Sequence, residues 1–86
     1  MKKAYKWCWE LEEMFPKEIP DYSSLYDSNP FKPIQCASCG YSTIMARAYR
    51  SLEIQDKSGE FYMVCMDCHD EELEEMKKRW RKEKSD

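Results

Sequence analysis

Two pairs of cysteines are the residues whose types and spacing could do chemistry in this 86-residue chain. Cys36 and Cys39 form the first pair, Cys65 and Cys68 form the second, and two residues separate the thiols within each pair. This spacing lets both sulfurs of a pair bind one ion from a tight turn, and four thiolates complete the closed tetrahedral shell of a structural zinc. We therefore predict a structural Zn²⁺ site with these four cysteines as its ligands.

The residue after the first pair supports this prediction, and the residues around the second pair bear on the choice of metal. Gly40 follows Cys39 directly, where a metal-binding turn favours a residue with φ > 0, and glycine adopts that conformation without strain. Iron is the alternative metal, because rubredoxins also combine two cysteine pairs and Cys39-Gly40-Tyr41 resembles their first loop. Zinc is preferred, because Met66-Asp67 and His69 do not match the proline and glycine of the second rubredoxin loop.

The composition predicts one small domain, residues 1–86, with an acidic net charge. The formal charge is −3, and binding one Zn²⁺ through four thiolates adds four negative charges and two positive ones, for a net charge near −5. A basic footprint for nucleic acid is therefore missing from the chain as a whole. So short a chain has a small apolar core, so we expect the metal to decide whether the domain folds.

The N-terminal residues, the apolar runs and the cysteines bear on the cellular location of the protein. The segment Met1 to Trp7 is positively charged, but no apolar run follows it. It is therefore not typical of a signal peptide. No stretch approaches the roughly 18 apolar residues of a membrane span. Paired cysteines in a reducing compartment favour metal over disulfides. We expect a cytoplasmic protein that has no contact with a membrane.

Four elements are predicted around the cysteines. Residues 4–15 show helical spacing of Trp7, Leu11 and Phe15, and Pro16 would end this N-terminal helix. Residues 16–35 are expected to form an ordered loop that covers the core. Residues 43–65 predict a β-hairpin with a turn at Asp56–Gly59, and residues 66–84 predict a C-terminal helix. The fold class is thus a small α+β zinc-binding domain.

Aromatic residues in the first 35 positions have two interpretations. Packing onto the metal-organised core is the simpler one. The alternative is a partner-binding surface, since interfaces are enriched in tyrosine, tryptophan and methionine. The candidates for that surface are Trp7, Trp9, Tyr22, Tyr26 and Phe31.

The C-terminal helix carries the main basic cluster, and this also has two interpretations. Its cationic residues could contact a phosphate backbone, with Trp80 stacking on a base. The alternative is that they complement the helix dipole, because the same helix begins with acidic residues, among them Glu71 and Glu72, which we expect on a solvated face. The candidate nucleic-acid contacts are Lys77, Lys78, Arg79, Arg81 and Lys82.

The remaining residues that could react are interpreted as structural. His69, the single histidine, is expected to pack on an apolar stripe with Leu73, Met76 and Trp80, with a role as a metal ligand as the alternative. Cys8, between two tryptophans, is expected to be a small buried apolar residue rather than a redox thiol. A four-thiolate site leaves no open position to activate water, and the sequence has no glycine-rich phosphate loop or His-Glu-x-x-His motif. We expect no enzymatic activity and no small-molecule substrate.

The order of these elements resembles the treble-clef zinc fingers. A Cys36–Gly40 knuckle, a hairpin, and a helix that carries the last two ligands would cover residues 36–84, with residues 1–35 as an N-terminal addition. The Cys36–Gly40 knuckle, Ala46-Arg47 and the Cys65–Cys68 pair are also similar to the zinc-finger part of DksA/TraR-type regulators, although residues 1–35 do not predict the long coiled coil of those proteins. The resemblance implies a fold far more than a function, because treble clefs serve many functions.

The function predicted from the sequence is a non-enzymatic, structural-zinc module for protein–protein interaction or regulation. The alternative is a nucleic-acid-binding zinc finger, such as a transcription regulator, that uses the basic end of the C-terminal helix. The sequence does not indicate whether the protein is a monomer or an oligomer.

Overall fold

Strands dominate the first two thirds of the protein and one helix ends it. The computed structural model describes the backbone of residues 1–84 and the side chains of residues 1–79. Its elements are β1 (Lys2–Cys8), β2 (Glu13–Ile19), β3 (Pro33–Gln35), β4 (Ser42–Ile44), a 3₁₀ turn (Met45–Arg47), β5 (Tyr49–Gln55), β6 (Phe61–Val64) and α1 (Met66–Lys84). An antiparallel sheet has the order β2-β1-β5-β6, β3 pairs with β4, and α1 packs against β5. The α+β class is confirmed.

The predicted N-terminal helix over residues 4–15 is wrong, because this segment is the β1–β2 hairpin. Tyr5, Trp7 and Trp9 alternate with other residues, which suits a strand, and β1 also pairs with β5. Glu12 closes the turn at φ 53°, and its N–H donates to the Cys8 carbonyl at 2.8 Å. Pro16 is accommodated because β2 is an edge strand, where a missing N–H can face solvent.

The predicted loop over residues 16–35 is too long, because both of its ends belong to strands. Its first residues belong to β2, which continues to Ile19, and its last residues form β3. Between them, Leu25 makes an isolated antiparallel bridge to Tyr62 of β6. This bridge ties the connecting segment to the sheet through the backbone.

The predicted hairpin and helix fit the structure better. The turn at Asp56–Gly59 is confirmed: the Gly59 N–H donates to the Asp56 carbonyl at 3.1 Å, and Gly59 has φ +92°. The first strand of this hairpin, expected to begin near Ile44, is interrupted by the 3₁₀ turn and starts at Tyr49. Helix α1 spans Met66–Lys84, as the sequence predicts.

The buried core is small and centred on the cysteines. Ile19, Ile54 and Val64 are the aliphatic side chains among the largest fully buried ones. They belong to one cluster that also contains Cys36, Cys65 and Cys68. Of the N-terminal residues expected to pack on the core, Ala4 is fully buried in this cluster, whereas Leu11 is 62% and Phe15 40% exposed. A second, smaller cluster of buried residues contains Ile34, Met45 and Met63, so the apolar core is divided into two small parts.

An irregular stretch of β5 is held by a glutamate from the helix. Between the pairs Arg50–Met63 and Gln55–Phe61, β5 advances five residues while β6 advances two. The Ser51 hydroxyl accepts the N–H groups of Glu53 and Ile54 and donates to the Glu72 carboxylate, which also accepts the Leu52 N–H at 2.9 Å. Glu72 is only 6% exposed, so the expectation that it lies on a solvated face is wrong.

Replacing this glutamate is expected to destabilise the fold. Glu72→Ala leaves the buried Ser51 hydroxyl and the Leu52 N–H without an acceptor, at a cost of about 1–3 kcal/mol. Chemical denaturation of the metal-loaded protein measures this difference. Glu74→Ala, at an exposed position on the same helix, is the control and should stay within about 0.5 kcal/mol of the parent. Equal stability of the two variants would contradict the proposed role of Glu72.

Candidate metal centre

The first cysteine pair lies in a tight turn between β3 and β4. The Gly40 N–H donates to the Cys36 carbonyl at 2.9 Å, and the Cys36 N–H donates to the Tyr41 carbonyl at 2.8 Å. Within the turn, the N–H groups of Ser38 and Cys39 point at the Cys36 sulfur, at 3.3 and 3.4 Å. Gly40 has φ +83°, as predicted for the position after the second ligand. The turn therefore presents two sulfurs and donates hydrogen bonds to one of them.

The second pair is supplied where the sheet meets the helix. Cys65 follows the last residue of β6, and Cys68 lies in the first turn of α1. The His69 N–H donates to the Cys65 carbonyl at 3.0 Å. The Ala37 N–H donates to the Met63 carbonyl at 3.2 Å, which fixes the first turn beside the end of β6. Backbone contacts thus bring together two pairs that 25 residues separate in the sequence.

The four sulfur atoms lie within 4.8 Å of one another. The Cys39 and Cys65 sulfurs are 3.7 Å apart, too far for a disulfide bond. Sulfurs placed about 2.3 Å from one ion at the corners of a tetrahedron would be about 3.8 Å apart. Cys36, Cys65 and Cys68 are buried and Cys39 is exposed. The arrangement is consistent with a four-cysteine metal site, in which all four ligand positions are filled by the protein.

The electrostatics of the cluster favour a bound cation. Burial raises the pKa of Cys65 and Cys68, because a lone thiolate there is poorly solvated. Burial opposes ionisation of Cys36 too, but N–H groups of Cys39, Cys65 and Ser38 outweigh it and lower the pKa of this thiol to about 7. Four neighbouring thiolates would repel one another, and a divalent ion supplies the charge that holds them together.

The conformation of Gly40 gives a prediction for the turn. At φ +83° an alanine is strained, and we expect Gly40→Ala to cost about 1–2 kcal/mol of stability. The new Cβ would lie 3.7 Å from the Pro20 side chain, an ordinary contact, so the cost should come from the backbone alone. Denaturation with metal bound measures it. Unchanged stability would show that the turn relaxes without strain.

The other two reactive residues lie outside the cluster. Cys8 is half-buried in β1 and is not among the clustered ligands. The His69 ring stacks on Tyr49, with centroids 4.9 Å apart and planes at 9°, and its buried Nδ1 has no hydrogen-bond partner among the side chains of residues 1–79. A packing role for His69 fits this contact, although on Tyr49 rather than on an apolar stripe. Trp80 of the predicted stripe lies outside the described side chains.

The predicted partner surface divides into two parts. Tyr22, Tyr26 and Phe31, in the segment between β2 and β3, are 74%, 62% and 75% exposed. Trp7 and Trp9 are half-buried and meet edge to face, with ring centroids 6.3 Å apart. These two indoles line a groove between the β1–β2 hairpin and α1. Sequence reasoning missed this groove because it requires β1 and α1 to be neighbours.

The predicted nucleic-acid contacts are only partly described. Lys77 and Lys78 are exposed, whereas the Arg79 side chain is directed toward Glu75 and Glu10, at 3.3 and 3.7 Å. These two carboxylates partly neutralise Arg79. Arg81 and Lys82 lie outside the residues whose side chains the structure describes.

Comparison with protein-family models, with curated proteins and with solved structures gave no significant match for this chain. The similarity to DksA/TraR-type regulators therefore receives no support beyond the motifs themselves. Within the described backbone, no helix has the length and apolar character needed to cross a membrane. A functional interpretation depends on the geometry of the four-cysteine cluster and on the surfaces around it.

Proposed function

We propose that this protein is a non-enzymatic zinc module, of the treble-clef type, that acts through contact with another protein. The observation that carries the proposal is the closed four-cysteine cluster, since a metal with four protein ligands organises a fold and has no position left for a substrate. Zinc fits an all-thiolate tetrahedral set, and iron is the less favoured alternative.

The order of the elements supports the treble-clef assignment. A knuckle at Cys36–Gly40, the β5–β6 hairpin, and a helix with a ligand in its first turn follow one another as that fold requires. The same thiol chemistry favours a reducing compartment, of which we propose the cytoplasm.

Exposed aromatic residues support a role in protein interaction. Tyr22, Tyr26 and Phe31 place large side chains in solvent within one short segment. Tyrosine and phenylalanine are enriched where proteins meet. The overall charge of −3 and the ion pairs of Arg79 weigh against a phosphate-binding surface.

Site-specific photo-crosslinking in the host cell tests the proposal. A benzophenone-bearing residue at Tyr22, Tyr26 or Phe31 should give a discrete protein adduct. The same residue at Lys57, in the exposed β5–β6 turn, should not. Purified protein titrated with random DNA and RNA should bind weakly. Tight binding that falls steeply with salt would instead favour the nucleic-acid alternative.

A further inference from the structure

The groove between the β1–β2 hairpin and α1 has a volume of about 580 Å³ and two unlike walls. Trp7, Trp9 and Phe15 line the hairpin side. The helix side carries Glu71, Glu75 and Arg79, which recur at spacings of four residues and therefore share one face of α1. An aromatic wall thus faces an acidic one.

The charges in the groove are unbalanced. Among the side chains that the structure describes, five carboxylates and three cationic groups line it. Two of the cations already have partners there: Lys6 lies 3.9 Å from Glu53, and Arg79 bridges Glu75 and Glu10. Cys68 also borders the groove, so a metal held by four thiolates would add negative charge at this end. The negative potential favours a cationic occupant and disfavours a phosphate.

Two of the carboxylates are almost fully withdrawn from water. Glu53 is 7% and Glu72 6% exposed, and both are among the residues that line the groove. The Trp9 indole N–H donates to Glu53 at 2.6 Å, which orients the ring in the groove wall. Charges with little water around them interact more strongly with a ligand than exposed ones. The groove therefore combines a fixed aromatic surface with two carboxylates that have little contact with water.

We propose that this groove binds a lysine- or arginine-bearing segment of a partner protein, which deepens the interaction function proposed above and rests on it. The aliphatic stem of such a side chain packs against the indole rings of Trp7 and Trp9, where its charge also gains a cation–π contact. The charged end reaches Glu71, which is exposed and has no ion-pair partner among the described side chains. Charge complementarity distinguishes this occupant from an acidic or purely apolar segment.

The test uses the metal-loaded protein and two short fluorescein-labelled peptides, one built from lysine, alanine and leucine and the other with glutamate at each lysine. Fluorescence anisotropy should detect binding of the basic peptide only. Glu71→Lys should weaken that binding at least about tenfold, since like charges repel across an interface. Glu74→Lys makes the same charge change on α1 outside the groove lining, and should stay within about twofold. Equal effects of the two variants, or equal binding of both peptides, would overturn the proposal.

Two further measurements separate this proposal from the general function. Sedimentation should show a monomer; a dimer that Glu71→Lys dissociates would make a second copy of the chain the occupant and overturn the choice of partner. The cellular crosslinking is then repeated with Glu71→Lys, which should lower the yield of the protein adduct. An unchanged adduct would overturn the groove as the binding site while leaving the interaction function intact. Failure of the parent protein to crosslink any protein would instead contradict that function.

Discussion

Removal of the metal is expected to unfold this protein. The buried aliphatic core is small, and three of the four cysteines, Cys36, Cys65 and Cys68, lie in the same cluster as Ile54 and Val64. A structural zinc contributes an apparent ~10–16 kcal/mol of folding-linked free energy, which is as large as the whole ~5–15 kcal/mol net stability of a typical domain. Circular dichroism and amide NMR spectra should therefore collapse when a strong chelator removes the ion, and should return when zinc is added back.

The fifth cysteine provides a matched control for this experiment. Cys68→Ser removes a buried ligand, and should abolish stoichiometric zinc in elemental analysis together with the folded NMR spectrum. Cys8→Ser makes the same atom-for-atom change outside the cluster, and should retain both. Retention of native structure after complete metal removal would contradict a metal-dependent fold.

Truncation of the core beside the metal is expected to lower both the stability and the apparent zinc affinity. Ile54 is fully buried in the cluster that contains the ligands, so Ile54→Ala should cost about 2–5 kcal/mol. If the metal-free chain is unfolded, zinc binding includes the free energy of folding, and the same loss appears in the binding constant. Competition with a chromophoric chelator should then show an affinity about 30-fold to several thousand-fold weaker.

Leu11→Ala is the control for this second prediction. Leu11 lies in the β1–β2 turn and is 62% exposed. Its truncation should therefore change neither the free energy of unfolding nor that of zinc binding by more than about 0.5 kcal/mol. A large fall in stability for Ile54→Ala with an unchanged zinc affinity would show that the metal-free chain is already folded.

Local signals in the sequence were sufficient for each cysteine pair and for the elements next to it. The two Cys-x-x-Cys pairs, the glycine after the first pair and the Asp56–Gly59 turn each encode a short-range geometry, and the structure has all of them. Helix α1 was also predictable, because acidic residues begin it and helix-forming residues fill it. These features depend on residues no more than a few positions apart.

Strand pairing between residues far apart in the sequence determines the secondary structure of the N-terminal segment. Glu10 to Met14 contains good helix formers, and Trp7, Leu11 and Phe15 recur at helical spacing. Both of these local signals predict a helix. The segment is a hairpin because β1 forms ladder contacts with β5, nearly fifty residues away, which no local pattern encodes. Aromatic alternation at Tyr5, Trp7 and Trp9 was the one sequence signal for a strand.

What the sequence by itself determined is the candidate ligand set, because the type and spacing of the ligands are encoded in residues a few positions apart. Only the tertiary structure decided which surfaces flank the four cysteines. Glu53 and Glu72 look like ordinary surface acids in the sequence, yet packing of α1 on β5 buries both, and Trp9 reaches Glu53 across 44 positions of the chain. The acidic, aromatic groove beside the cysteines exists because β5 pairs with β1 of the hairpin and also packs against α1.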